Sequence, residues 1–118
     1  MSTQIQRHKT SNPYEAQSGY SRGVRRGPFI FISGTTSVSV STESTSTPTI
    51  LHPSSAFHQA LQAFSEIIRA VEALCGTKED VVRVRIFVTR DEDSGEVGRA
   101  LKEVGVMRVE IEADAVVL

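Results

Sequence analysis

Cysteine and tryptophan are nearly missing from this sequence: one Cys, Cys75, and no Trp occur among 118 residues. A single thiol excludes an intramolecular disulfide, and with three scattered histidines it leaves no zinc framework of paired ligands. Long apolar runs are lacking too. None approaches the roughly 20 residues of a membrane span, and the N-terminus has no apolar core like that of a secretory signal. Nor is there an excess of one charge. The 13 Lys and Arg against 14 Asp and Glu give a formal net charge of −1, which argues against a nucleic-acid protein or a polybasic membrane binder. The expectation is a soluble, reduced, cytoplasmic protein with neither nucleic acid nor membrane as partner. Arg7 and Lys9, ahead of any acidic residue, keep a mitochondrial location as the alternative, although the amphipathic pattern of a transit peptide is not there.

What is present suits one folded domain. Hydrophobic residues make up 39% and charged residues 23%, a balance that supports a core and disfavours global disorder. Residues 1–17 are polar and are expected to form a flexible lead-in, with a single domain over 18–118. Charge is polarised along the chain. Residues 1–33 hold five basic and one acidic side chain, a balance of +4, so residues 34–118 sum to −5.

Tyr20 to Ser33 reads as a hairpin: a short strand over Tyr20–Arg25, punctuation at Arg26-Gly27-Pro28, and the apolar run Phe29-Ile30-Phe31-Ile32. Four consecutive large apolar residues suit a strand covered on both faces. Residues 35–49 hold 11 Ser or Thr among 15, with Val38 and Val40 the only strand formers, and read as a polar loop or ragged edge strand. A helix begins near Ser54 or Ser55 after Pro53. Its stripe is Phe57, Ala60, Leu61, Phe64, Ile67, Ile68, Val71 and Leu74, with Gly76 at the expected left-handed cap position. Burying that stripe contributes on the order of 10 kcal/mol before chain entropy is charged against it, so the helix is expected to lie on a sheet.

Val81–Thr89 alternates as a strand, Ser94–Val104 reads as a shorter helix, and Met107–Val117 alternates again, with Val109, Ile111, Ala113 and Ala115 opposite Arg108, Glu110, Glu112 and Asp114. The order is β-β-α-β-α-β, an α+β sheet with two helices on one face. Only Gly105 and Val106 join the second helix to the last strand, the short limit of the usual connection of about 2 to 6 residues. Phe29–Ile32 is apolar on both sides while one helical layer covers one side. The other side calls for a neighbouring copy.

The string SGYSRGVRRGPFIFISGTTS (18–37) resembles the RidA/YjgF family of small trimeric imine and enamine deaminases. EDVVRVRIFVT (79–89), EVGRALKEV (96–104) and VEIEADAVV (109–117) follow in the family's order. The resemblance implies a chorismate-mutase-like fold, a homotrimer with clefts between subunits, a small-molecule substrate and no cofactor. It implies hydrolysis of small reactive imines or enamines from amino-acid metabolism to keto compounds and ammonia, of the 2-iminobutanoate or 2-iminopropanoate type. Family members carry a further strand, with a Pro-Ala-Arg type motif, between the second helix and the VEIE strand. This chain passes from KEVG to VMRVEIE without it, so one sheet strand is missing together with the arginine that clamps the substrate carboxylate. By the resemblance, Glu110 matches the glutamate that positions the hydrolytic water, Tyr20 the cleft tyrosine, and Gly34, after Ser33, the glycine whose backbone lines the cleft. Arg22, in the GYSR wording, is the nearest replacement for the clamp.

Each of these residues also has a plain reading. Tyr20 fits a hairpin packed on the lead-in, Glu110 a solvated strand face with Glu112 and Asp114, and Arg22 a solvated edge with Arg25 and Arg26. Cys75 reads as a buried small hydrophobe, His52 and His58 flank a helix start with no partner at catalytic spacing, and Ser33-Gly34-Thr35 is too short for a phosphate loop. The rival function is a non-catalytic trimeric ligand-binding or chaperone-like module. A third reading is a truncated form that folds poorly.

Overall fold

The computed structural model describes residues 4–39 and 49–105. Strands β1 (Ile5–His8), β2 (Gly23–Arg26) and β3 (Phe29–Ile32) form an antiparallel sheet in that order, with helix α1 (Pro13–Ser18) between the first two. Strands β4 (Val38–Ser39) and β5 (Thr49–Ile50) make a separate two-stranded ladder. Helices α2 (Ala56–Ala73) and α3 (Ser94–Val104) follow, each close to its expected span. The architecture is mixed α+β. No helix among the described residues is long and apolar enough to cross a membrane.

Register decides which side chains meet the helices. Gly23 pairs with Ile32 and Arg25 with Ile30, and these pairs face α2. Alternation sends Val24, Arg26, Phe29 and Phe31 to the other face, where Phe29 is 63% and Phe31 66% exposed. The β3 run therefore has one covered face and one bare face among the described residues. Beneath the sheet the core is Phe57, Phe64 and Ala100, with Leu61, Ile67 and Leu101 packed around them. The Arg99 guanidinium lies 3.9 Å from the Phe57 ring centroid, which roofs the α2–α3 contact with a cation–π pair.

The start of α2 follows the sequence reading. Ser55 is extended and its side chain accepts the His58 backbone N–H, the expected serine cap. The end of α2 corrects it. The left-handed residue is Cys75, with φ 66, rather than Gly76, and Cys75 is exposed rather than buried. Leu74 takes the buried place at 3% exposure. Gly76 is required for closeness instead. A Cβ there would stand 2.8 Å from Val71 Cγ1 and 2.9 Å from Ile30 Cδ1. Arg25 completes this corner: Nε donates to the Gly27 carbonyl and Nη1 to the Leu74 carbonyl, both at 2.9 Å. A cation thus ties the hairpin turn to the carbonyl end of the helix. Gly76→Ala is expected to cost about 1–3 kcal/mol by overpacking and to lower the melting temperature by about 4–12 °C. Gly98→Ala, where an added Cβ meets nothing within 4 Å, is expected to raise it slightly. Thermal melts of the two variants check both.

Two further expectations change. Residues 5–17, expected in a flexible lead-in, carry β1 and α1. The lead-in reading overlooked that β1 needs no apolar pattern to pair with β2 through its backbone: Ile5 stands opposite Arg26 and His8 opposite Gly23. Residues 81–89, expected as a strand, join no ladder among the described residues. They run beside α3, and Ile86 and Val88 line a small cleft with Ser94, Val97 and Gly98. Val82 is 76% and Phe87 91% exposed. The expected strand over 107–117, with Glu110, lies outside the described residues.

Candidate functional site

Helix α1 sets up the site from the N-terminal side. Asn12 caps it, its side chain accepting the Tyr14 N–H at 3.0 Å, and Pro13 occupies the first turn, where its missing N–H is harmless. Glu15 is 3% exposed. Its carboxylate accepts the Thr10 N–H at 2.9 Å and the Thr10 hydroxyl, so the buried charge is held by donors. The helix ends at Gly19 in the left-handed region, φ 70. Tyr20 N–H then donates to the Glu15 carbonyl at 2.9 Å. This turn delivers Tyr20 to the entrance of β2.

Arg22 comes next and is held between two strands. Its N–H donates to the His8 carbonyl at 2.8 Å, and its carbonyl accepts the Ser33 N–H at 3.0 Å. The residue is 6% exposed. Nη2 donates to the Gly34 carbonyl at 2.8 Å, and the guanidinium carbon lies 5.5 Å from the Tyr20 ring centroid. Nε is buried and has no hydrogen-bond partner among the described residues. No carboxylate of the described residues pairs with this cation. A buried charge left in that condition costs several kcal/mol relative to a paired one, whereas the ring stacking returns about 0.5–2 kcal/mol. Among the described residues the group is therefore short of an anion.

Ser33 and Gly34 form the opposite wall. Ser33 Oγ donates to the Ser21 carbonyl at 2.7 Å, so its hydroxyl proton is committed and only its lone pairs can serve a ligand. Thr35 Oγ1 donates back to the Ser33 carbonyl at 2.8 Å and fixes the turn. Gly34 is exposed and has no atom within 4 Å of an ideal Cβ, so its backbone is open on that side. The structure thus brings together Tyr20, Arg22, Ser33 and Gly34, four of the five site residues expected from the sequence. Glu110, the fifth, lies outside the described residues. Thr35 was not among the expected residues, although its place in the SGTT string was a usable signal.

A family model described as Endoribonuclease L-PSP matches residues 10–106. The chain belongs to the RidA/YjgF family. It is also similar in structure to Rv2704 from Mycobacterium tuberculosis, described as a member of the highly conserved YjgF/YER057c/UK114 family. The TM-score is 0.70 and the identity 28%, over 86% of this chain and 75% of that one. Among curated proteins none matches. The α+β architecture, with antiparallel sheets and helices, is that of a YjgF-family structure and is consistent with a chorismate-mutase-like fold.

Within the RidA/YjgF frame the cluster at Tyr20–Gly34 sits at the end of the bare sheet face. By strand alternation Arg22 shares the side of β2 that carries Val24, opposite Phe31 on β3. Charges elsewhere are organised differently. Arg90 donates to both carboxylate oxygens of Asp93, and this hydrogen bond and the Asp93 charge hold its guanidinium more firmly protonated than usual. Arg90 is exposed and Asp93 half-buried, and the pair stands at the start of α3.

Proposed function

We propose that this RidA/YjgF-family chain hydrolyses small reactive imines or enamines derived from amino acids, releasing the keto compound and ammonia. The observation that supports it best is a buried Arg22, paired with no carboxylate of the described residues, gathered with Tyr20, Ser33 and Gly34 at the end of a sheet face that no described residue covers. An iminium carbon is already electrophilic, so the chemistry needs a held water and a proton acceptor. Glu110 supplies the acceptor. Water adds to the C=N carbon as its proton passes to the Glu110 carboxylate, giving a carbinolamine. Return of that proton to nitrogen, with transfer of the hydroxyl proton to the freed Glu110 carboxylate, lets the C–N bond break and ammonia leave as the carbonyl forms. Arg22 holds the substrate carboxylate through charge-assisted hydrogen bonds. Tyr20 supports the guanidinium, and the backbone of Gly34 lines the cleft. No cofactor enters this sequence. The working form is a homotrimer in the cytoplasm, with the Phe29 and Phe31 face covered by a second copy. Ribonuclease activity is not proposed, because a net charge of −1 gives little field to gather a polyanion.

The second reading is a trimeric binding module that keeps the cleft without the chemistry. It is favoured by the passage from KEVG (102–105) directly to VMRVEIE (106–112), without the family's arginine-bearing strand. One experiment separates the two. Purified protein is added to an enzyme that produces 2-aminoacrylate, and keto-acid release is followed while small carboxylates are screened by thermal shift. Faster release supports hydrolysis. A carboxylate-induced rise in melting temperature with no acceleration at micromolar protein supports the binding module.

A further inference from the structure

The turn before α2 brings together two side chains that sequence spacing had kept apart. His52 is held with φ 54, a left-handed conformation that a residue with a Cβ rarely adopts. Its carbonyl accepts the Ser55 N–H at 3.1 Å and the Gln59 Nε2 at 2.9 Å, so the conformation is fixed from both sides. The result folds His52 back onto the first turn of α2. Its ring lies 5.3 Å from that of His58, centroid to centroid, at 35°. Both residues are exposed.

That separation has a chemical meaning. Imidazole nitrogens bind zinc-like ions at about 2.0–2.1 Å in tetrahedral geometry. Two rings on one such ion place their centroids about 5.2 Å apart. The neighbouring groups prepare His58 as well. Ser55 Oγ accepts the His58 backbone N–H at 3.1 Å and lies 2.8 Å from His58 Nδ1. When Nδ1–H donates to that oxygen, the Nε2 lone pair is left free, which is the usual arrangement behind a ligating histidine. The Phe57 ring stands edge-on at 5.1 Å and limits rotation of the His58 ring.

We propose that His52 and His58 form a two-imidazole site for a borderline divalent transition ion of the zinc type, oriented by Ser55. Among the described residues no group of three His, Cys, Asp or Glu converges on one point. In the proposed site water or a small ligand takes the remaining coordination positions. Imidazole donors without carboxylates select Zn²⁺, Co²⁺, Ni²⁺ or Cu²⁺ over Ca²⁺ and Mg²⁺.

The test uses the full chain. Zn²⁺ is titrated by calorimetry, and Co²⁺ is followed by its visible absorption, which is intense for tetrahedral coordination. One equivalent of each ion is expected to bind. His52→Asn, which tolerates a positive φ, and His58→Gln are each expected to weaken Zn²⁺ at least tenfold, with unchanged melting temperature of the metal-free protein. Ser55→Gly is expected to weaken it about 10- to 100-fold, and Ser55→Asp, which keeps both cap and acceptor, to restore it. His8→Gln is expected to change nothing. Absence of a stoichiometric equivalent overturns the proposal. So does an equivalent that survives both His52→Asn and His58→Gln, or one that is lost with His8→Gln instead.

Discussion

Arg22→Ala is expected to weaken the binding of small carboxylates about 10- to 100-fold, the equivalent of losing a charge-assisted contact of about 1.5–3 kcal/mol. The reason is local. Arg22 is 6% exposed, and among the described residues its Nε has no partner and its side chain donates to the neutral Gly34 carbonyl. An incoming carboxylate would satisfy both the free donor and the uncompensated charge. Arg22→Lys is expected to recover only part of the affinity, because an ammonium lacks the planar fork that meets a carboxylate in two places. Calorimetric titration with pyruvate, beside its neutral amide as a control, reads this out. An acid affinity unchanged in Arg22→Ala would make Arg22 a structural brace between the Tyr20 ring and the 33–35 turn.

The second large effect belongs to Glu110. Glu110→Gln keeps the size of the side chain and removes its ability to take a proton from water. Turnover is expected to fall about 10²- to 10⁴-fold, the usual contribution of a positioned acid–base group, with little change in KM. Arg22→Ala is expected to show the opposite division, raising KM more than it lowers kcat. Measuring both constants for both variants in one keto-acid assay separates binding from chemistry. Parallel loss of both constants in both variants would indicate a common folding defect instead.

The helices were legible because their signals are local and strong. The stripe from Phe57 to Leu74 and the serine before it determine α2, and the observed cap is Ser55. Ser94–Val104 emerged with the expected limits, its end marked by Gly105 at φ 69. Helix α1 carried an equally local signal that the polar composition of 1–17 obscured: Asn12-Pro13 to open it and Gly19 to close it. At the end of α2, sequence logic placed a glycine in the left-handed position, yet Cys75 holds it. Gly76 answers a packing demand from Val71 and Ile30, which no spacing rule contains. The alternation over 81–89 is legible as a pattern, but a strand needs a partner that periodicity does not name, and none pairs with it among the described residues. The site divides in the same way. Tyr20, Arg22, Ser33 and Gly34 were named from the GYSR and SGTT strings, and the β2–β3 register brings them together. The missing partner of Arg22 Nε, the Thr35 bond to the Ser33 carbonyl and the approach of His52 to His58 depend on backbone geometry alone.

The central claim, hydrolysis of an imine at the Tyr20–Gly34 cluster, is tested most directly by the decay of 2-iminobutanoate. The imine is generated by an amino-acid oxidase with catalase present, and its disappearance is timed against added protein. The account predicts a first-order decay whose rate rises in proportion to protein concentration, with 2-oxobutanoate and ammonia appearing in equal amounts. A decay rate equal to that in buffer at every protein concentration would contradict it.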